Sequence, residues 1–238
     1  MRENQLIPDA DLAENIRDIR QRVALAAQKS GRKESDISIM AVTKTVPAQR
    51  VNQAIACGLT LLGENRVQEF LEKYPLYPQK ECSVHFIGGL QTNKVKYIVD
   101  KVDMIESVDR LSLAEEIEKR CRAIGKKMDV LLEVNIGAEP GKSGVLPENL
   151  PELVNAVTAS PHLRLSGLMA IPPAGKREEE NIYYFSKMRY MFLDMQAKKL
   201  DNSNVQFLSM GMSGDFETAI TCGANIIRLG TALFGKRK

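Results

Sequence analysis

Only two histidines and four cysteines occur in 238 residues. The cysteines, Cys57, Cys82, Cys121 and Cys222, stand far apart with no C-x-x-C pair, which argues against both a zinc site and a disulfide scaffold. Excess charge of one sign is also lacking: 33 Lys and Arg face 30 Asp and Glu, a formal net charge of +3. Net charge therefore gives no argument for a nucleic-acid or membrane surface. Aromatic residues make up 5% of the chain, and neither a basic stripe nor an aromatic platform for nucleic acid is visible. The amino-terminal MRENQLIPDADLAENIRDIR has no apolar core of a signal peptide, and no later run is long and uncharged enough to span a bilayer. We expect a cytoplasmic protein with reduced thiols and no membrane or nucleic-acid partner. With 44% hydrophobic and 26% charged residues, the chain can bury a full core and is not of the disordered class. No linker or low-complexity tract divides it, so we expect one domain over residues 1–238.

Periodicity supplies the elements. Leu12, Ile16, Ile19, Val23 and Ala27 recur at three and four residues before Gly31, the signature of an amphipathic helix and its stop. Ile37 to Val42 reads as a buried strand, and Pro47 opens a helix carrying Val51, Ala54 and Ile55 that ends at Gly58. Further apolar runs fall near Thr60–Leu62, Ser83–Ile87, Val102–Ile105, Val130–Val134, Leu163–Leu168, Val205–Leu208 and Ile226–Leu229. Helical patterns separate them, such as Leu113, Ile117, Cys121 and Ile124, or Leu150, Leu153, Val154 and Val157. Lys176-Arg177-Glu178-Glu179-Glu180 precedes another, with acidic residues suited to a helix start. Alternating strands and helices imply a parallel sheet of the α/β class. Eight units at this length fit a closed (β/α)₈ TIM barrel with an extra amino-terminal helix; an open doubly wound sheet is the alternative.

Polar or glycine-rich tracts follow the apolar runs, among them Thr43-Lys44-Thr45, Gly63-Glu64-Asn65, Glu106-Ser107, Ser209-Met210-Gly211-Met212-Ser213 and Gly230-Thr231. In a parallel barrel all strand ends meet on one rim, where ligands bind. Lys44, just past the first strand, is placed for a Schiff base with an aldehyde, for a phosphate contact, or for a solvated loop position. Ser213 stands before a helix with Phe216, Ala219 and Ile220, and Gly230-Thr231 starts a terminal helix. These are either a phosphate cradle or two ordinary helix caps. Arg228 shares a strand face with residues 226 and 230 and should point inward. There it either faces an acceptor nitrogen of a ligand ring or pairs with a barrel carboxylate such as Glu133 or Glu64.

Seven tracts, AVTKTVP (41–47), GENRVQE (63–69), HFIGGLQTNK (85–94), EVNIGAEPGKSG (133–144), GLMAIPP (167–173), LSMGMSGDFETAI (208–220) and IRLGTALFG (227–235), together resemble the YggS-like family of pyridoxal 5′-phosphate (PLP) homeostasis proteins. Leu229 and Leu233 depart from that pattern only conservatively. The resemblance implies an alanine racemase amino-terminal type barrel with PLP as a Schiff base on Lys44. It also implies Ser209, Met210, Met212, Ser213, Gly230 and Thr231 around phosphate and ring, Asn65 near the cofactor, and Arg228 at the pyridine nitrogen. His85 reads as a hydrogen-bonded core residue. Lys94, Lys142 and the basic tail Gly235-Lys236-Arg237-Lys238 are either loop charges or rim cations for an anionic ligand.

Related racemases need a second base from a β-rich domain after the barrel, and this sequence stops just past the last barrel motif, so we expect that domain to be absent. An arginine at the ring nitrogen also weakens the cofactor as an electron sink. The resemblance therefore implies intracellular PLP storage, buffering or delivery, with little or no turnover, PLP-requiring apo-enzymes as recipients, and a monomer. A racemase-like enzyme or a Schiff-base barrel aldolase is the alternative.

Overall fold

A computed structural model describes residues 10–173 and 177–235. Lys176 and the tail Lys236-Arg237-Lys238 lie outside the described residues. Strands β1 (Ser38–Val42), β2 (Leu61–Glu64), β3 (Ser83–Phe86), β4 (Met104–Val108), β5 (Met128–Val134), β6 (Leu163–Ala170), β7 (Ser203–Ser209) and β8 (Ile226–Leu229) form a closed parallel barrel in sequence order. Closure comes from β1 pairing with β8, Met40 opposite Arg228, which excludes the open doubly wound sheet.

The helices are α1 (Ala10–Lys29), α2 (Ala48–Ala56), α3 (Val67–Lys73), α4 (Leu111–Ile124), α5 (Leu150–Thr158), α6 (Glu178–Ala197), α7 (Phe216–Thr221) and α8 (Thr231–Phe234). The buried stripe of α1, Leu12, Ile16, Ile19, Val23 and Ala27, follows the expected spacing and packs on α7 and α8. Gly31, at φ 69°, ends it: its N–H donates to the Gln28 carbonyl and the Arg32 N–H to the Ala27 carbonyl. This Schellman pattern closes the last turn because glycine enters the left-handed region without a Cβ clash. In α6, four of the five residues of the apolar period, Phe185, Met188, Phe192 and Met195, are buried, while the first, Ile182, is exposed, and Glu178, Glu179 and Glu180 occupy the first turn.

Two segments differ from expectation. The fourth strand runs to Val108, so Glu106 and Ser107, expected beyond its end, lie inside it and are buried. Polar residues look like a strand end, yet a barrel strand accepts them where the interior itself is polar. The β3-to-β4 crossover is a 3-10 segment, Thr92–Tyr97, rather than an α-helix.

Inside the barrel, alternate residues stack. Met40, Val42, Ile87 and Ile226 form one apolar cluster and Met104, Leu131 and Met169 another, with Phe207 packed against both. Alternation then places His85, Glu106, Glu133, Ser209 and Arg228 in a polar layer nearer the carboxyl rim. Among the described residues no helix is long and apolar enough to cross a membrane.

Candidate functional site

Lys44 sits in the turn two residues after inward-facing Val42, and its half-buried side chain lines the mouth. Two cavities adjoin there. One, of about 320 Å³, is lined by Lys44, Asn65, Met212, Ser213, Arg228, Gly230 and Thr231, with Ile87 and Ile171 as apolar walls. The other, of about 550 Å³, shares Val42, Lys44, Gly230 and Thr231 and extends past Arg50 and Phe234. Both volumes fall in the range of roughly 300–1,000 Å³ typical of small-ligand pockets.

The fold thus gathers seven of the nine expected site residues onto one cavity; Ser209 and Met210 do not line it. Met210 is buried in the main core. Ser209, also fully buried, acts through Arg228, accepting a 2.7 Å hydrogen bond from Nη1. Nη2 of Arg228 donates to the Ala170 carbonyl at 2.8 Å. Burial lowers the pKa of this guanidinium, against the raising pull of Glu106, Glu133 and Asp215, and it stays a cation able only to donate. No pairing with Glu64 occurs, because Glu64 faces the helix layer and accepts from Tyr77 there. Glu133 acts on Arg228 through its charge.

Beneath Arg228, His85 Nδ1 and Glu106 Oε1 are 2.7 Å apart, in keeping with the hydrogen-bonded core role expected of His85. Burial pushes the Glu106 carboxyl up, but His85, the Arg228 charge and the Ser209 hydroxyl outweigh it and hold the pKa below the ordinary value. Glu133 goes the other way: burial, reinforced by Asp109 and opposed by Arg228, pushes it up to about 7. The two carboxyls thus differ in protonation because only one has a close donor. His85, Glu106 and Glu133 are the members of this layer that were not expected to bind the ligand, although Glu106 fell in a rim tract and Glu133 was a candidate partner of Arg228. Counting inward positions by twos along β4 and β5 exposes the two carboxyls once β4 is extended to Val108.

On the opposite wall, the Ser213 hydroxyl accepts from the backbone N–H of Gly230 at 3.4 Å and of Ala232 at 3.2 Å. It therefore caps the last short helix and not the helix that follows it in sequence. Asp215 holds the N-cap position of α7 and accepts from the Met212 N–H at 2.6 Å. Both residues are good cap formers two positions apart, so sequence alone does not separate them. A Cβ on Gly214 would meet nothing within 4 Å, so backbone there borders open cavity. Neither Lys94, near the Tyr97 ring at 5.6 Å, nor Lys142, bonded to Glu139 at 2.5 Å, lines either cavity.

The residues present fit a phosphorylated, aldehyde-bearing aromatic ring. A primary amine, a donor-only cation, two hydroxyls and two glycines converge on one volume, and the buried Asn65 Oδ1 has no hydrogen-bond partner among the described residues. An orphaned buried acceptor in a cavity wall calls for a donor from a ligand or water.

Residues 10–238 match the family described as alanine racemase, N-terminal domain. The chain is 45% identical over 225 residues to a pyridoxal phosphate homeostasis protein of Aquifex aeolicus, covering 94% of this chain and 98% of the relative. It is 42% identical over 227 residues to one of Pseudomonas aeruginosa, covering 95% and 96%. The solved structure of PipY from Synechococcus elongatus with PLP bound superposes with a TM-score of 0.83 at 30% identity, covering 94% of this chain and 100% of that one.

Proposed function

Because the chain belongs to the pyridoxal phosphate homeostasis proteins, within the alanine racemase N-terminal domain family, we propose that it holds PLP in the barrel mouth, joined reversibly to Lys44, and stores, buffers or delivers it. When bound, the cofactor supplies an aldehyde carbon that condenses with a primary amine, releasing water and forming a carbon–nitrogen double bond that water or a second amine reopens. Lys44 brings the amine to the wall shared by both cavities. Ser213 and Thr231 bring hydroxyls, and Gly214 and Gly230 close backbone, to the phosphate end. Asn65 offers its amide, while Met212 and Ile171 wall the ring with apolar surface.

Arg228, a donor-only cation on the cavity wall, would face the ring nitrogen and leave it without a proton. Ser209 keeps the guanidinium in place, and Met210 contributes core packing instead of a ligand contact. An unprotonated ring withdraws electrons weakly, which favours capture and release over carbanion chemistry. We read the protein as a cytoplasmic monomer, one barrel domain over 1–238, with PLP-requiring apo-enzymes as recipients.

The observation that carries this reading is the convergence of Lys44, Arg228 and the Ser213–Thr231 wall on a single cavity of about 320 Å³. Purified protein given PLP should develop an imine absorption band, and borohydride should fix the cofactor's mass on Lys44. Uptake of PLP by Lys44→Ala as tight as by wild type, with no imine band in either, would refute it. Exchange of amino-acid α-protons at enzyme-like rates in deuterated water would favour the racemase-like reading instead.

A further inference from the structure

The tract Gly63-Glu64-Asn65-Arg66-Val67-Gln68-Glu69 gives the cavity only Asn65. Two of its acidic residues point elsewhere, into a network against the outer side of the turn that carries Lys44. Thr45 has φ 64°, a left-handed conformation that a β-branched residue holds only when its surroundings enforce it. Its N–H donates to Glu69 Oε1 at 2.6 Å. The same oxygen accepts from Lys73 Nζ at 3.0 Å, and Lys73 Nζ also donates to the Thr43 carbonyl at 3.0 Å. The third direction of that ammonium faces Glu64 Oε1 at 3.1 Å, which accepts the Tyr77 hydroxyl at 2.6 Å.

An ammonium has three donors, and two of the three partners here lead directly to the residues on either side of Lys44. Glu69 and Lys73 come one helical turn apart on α3 and so share a face. The Lys73 side chain is 9% exposed and that of Glu64 is fully buried, and neither lines a cavity. A salt bridge serving only to fasten α3 to the barrel would need Lys73 and Glu64. It would not need a carboxylate on the Thr45 amide or an ammonium on the Thr43 carbonyl.

We infer that Lys73 and Glu69, backed by Glu64 and Tyr77, are positioning residues that lock the Thr43–Thr45 turn so that the Lys44 amine is presented to the cavity. They touch no ligand and act through the backbone of Lys44. This rests on the proposed capture of PLP by Lys44, and the test separates the two.

PLP and pyridoxine 5′-phosphate share ring and phosphate, but only PLP has the aldehyde, so the ratio of their affinities isolates presentation of the amine from the shape of the cavity. In Glu69→Ala, which removes the acceptor of the Thr45 N–H at a partly exposed side chain, that ratio should fall by about tenfold to a hundredfold, the scale expected when a reacting group is misplaced by about an ångström. Pyridoxine 5′-phosphate should bind as in wild type. Glu69→Gln, which keeps an oxygen for the amide, should stay near the wild-type ratio. Glu69→Asp draws the carboxylate back by one carbon while leaving its charge beside the buried Lys73–Glu64 pair, and so repeats the test in a chain with that pair intact; its ratio should fall as well. A wild-type ratio in Glu69→Ala and Glu69→Asp, whatever their melting temperatures, overturns the inference. Absence of imine in the wild-type protein overturns the functional reading instead.

Discussion

Replacing Glu133 by glutamine should stabilise the protein, and only on the alkaline side. Glu133 is 6% exposed inside the barrel, and its pKa is pushed up from 4.5 to about 7 by burial and by Asp109, against the pull of Arg228. The folded protein therefore binds this proton more tightly than the unfolded chain does. Between the two values the folded state carries the extra proton, so stability falls as pH rises through this window and levels off above the folded value. At 1.36 kcal/mol per unit the shift corresponds to roughly 3 kcal/mol by about pH 8. Glutamine has nearly the same shape and never ionises, so it should resemble protonated Glu133. Urea denaturation of both proteins without cofactor, at intervals from about pH 5 to pH 8.5, reads the difference directly. The curves should coincide at the acid end and separate to about 2–3 kcal/mol in favour of Glu133→Gln at the alkaline end. A flat difference, or one that grows toward acid, would show that Glu133 ionises freely in the folded barrel. A carboxyl that lowers stability at neutral pH, in the layer next to Arg228, is the kind of group retained for the electrostatics of a site.

Gly167→Ala should cost about 3 kcal/mol or more, measured as a drop in urea midpoint. A Cβ there would fall 1.8 Å from the Phe207 carbonyl oxygen at φ 150°, and backbone of β7 cannot yield as a side chain would; a loss under about 1 kcal/mol would mean that the β6–β7 register there is not fixed. Ser209→Ala should cost about 1–3 kcal/mol, because it strips the buried Arg228 Nη1 of its acceptor and Glu106 of a donor. Stability unchanged by that substitution would indicate that Arg228 finds another partner at once.

The barrel was legible because its signal is redundant. Eight β-rich apolar runs separated by helical periodicity leave few topologies, and the handedness of crossovers removes most of those. Lys44, Asn65, Met212, Ser213, Arg228, Gly230 and Thr231 lie in tracts at or near the carboxyl ends of strands, which closure of the barrel brings together whatever their separation in sequence, while the choice of Asn65 and Met212 within those tracts came from the family resemblance. Met210 shares that location but points the other way. It directly follows inward-facing Ser209, so the period-two alternation turns it to the outer layer, where it is buried in the main core.

Lys73 shows a different limit. Its spacing from Glu69 marks a helix pair that is ordinarily a solvated ion pair of small worth, and nothing in the one-dimensional pattern distinguishes it from the exposed Lys198 and Asp194 at the same spacing. What distinguishes it is the depth at which α3 meets β2, which buries Glu64 and Tyr77 beside it. An ammonium in such a place must satisfy its three donors, and the acceptors within reach include the Thr43 carbonyl, next to Lys44. The coupling between an outer-layer lysine and the inner-facing one thus arises from packing depth, a quantity set by the assembled layers and absent from any local stretch of residues.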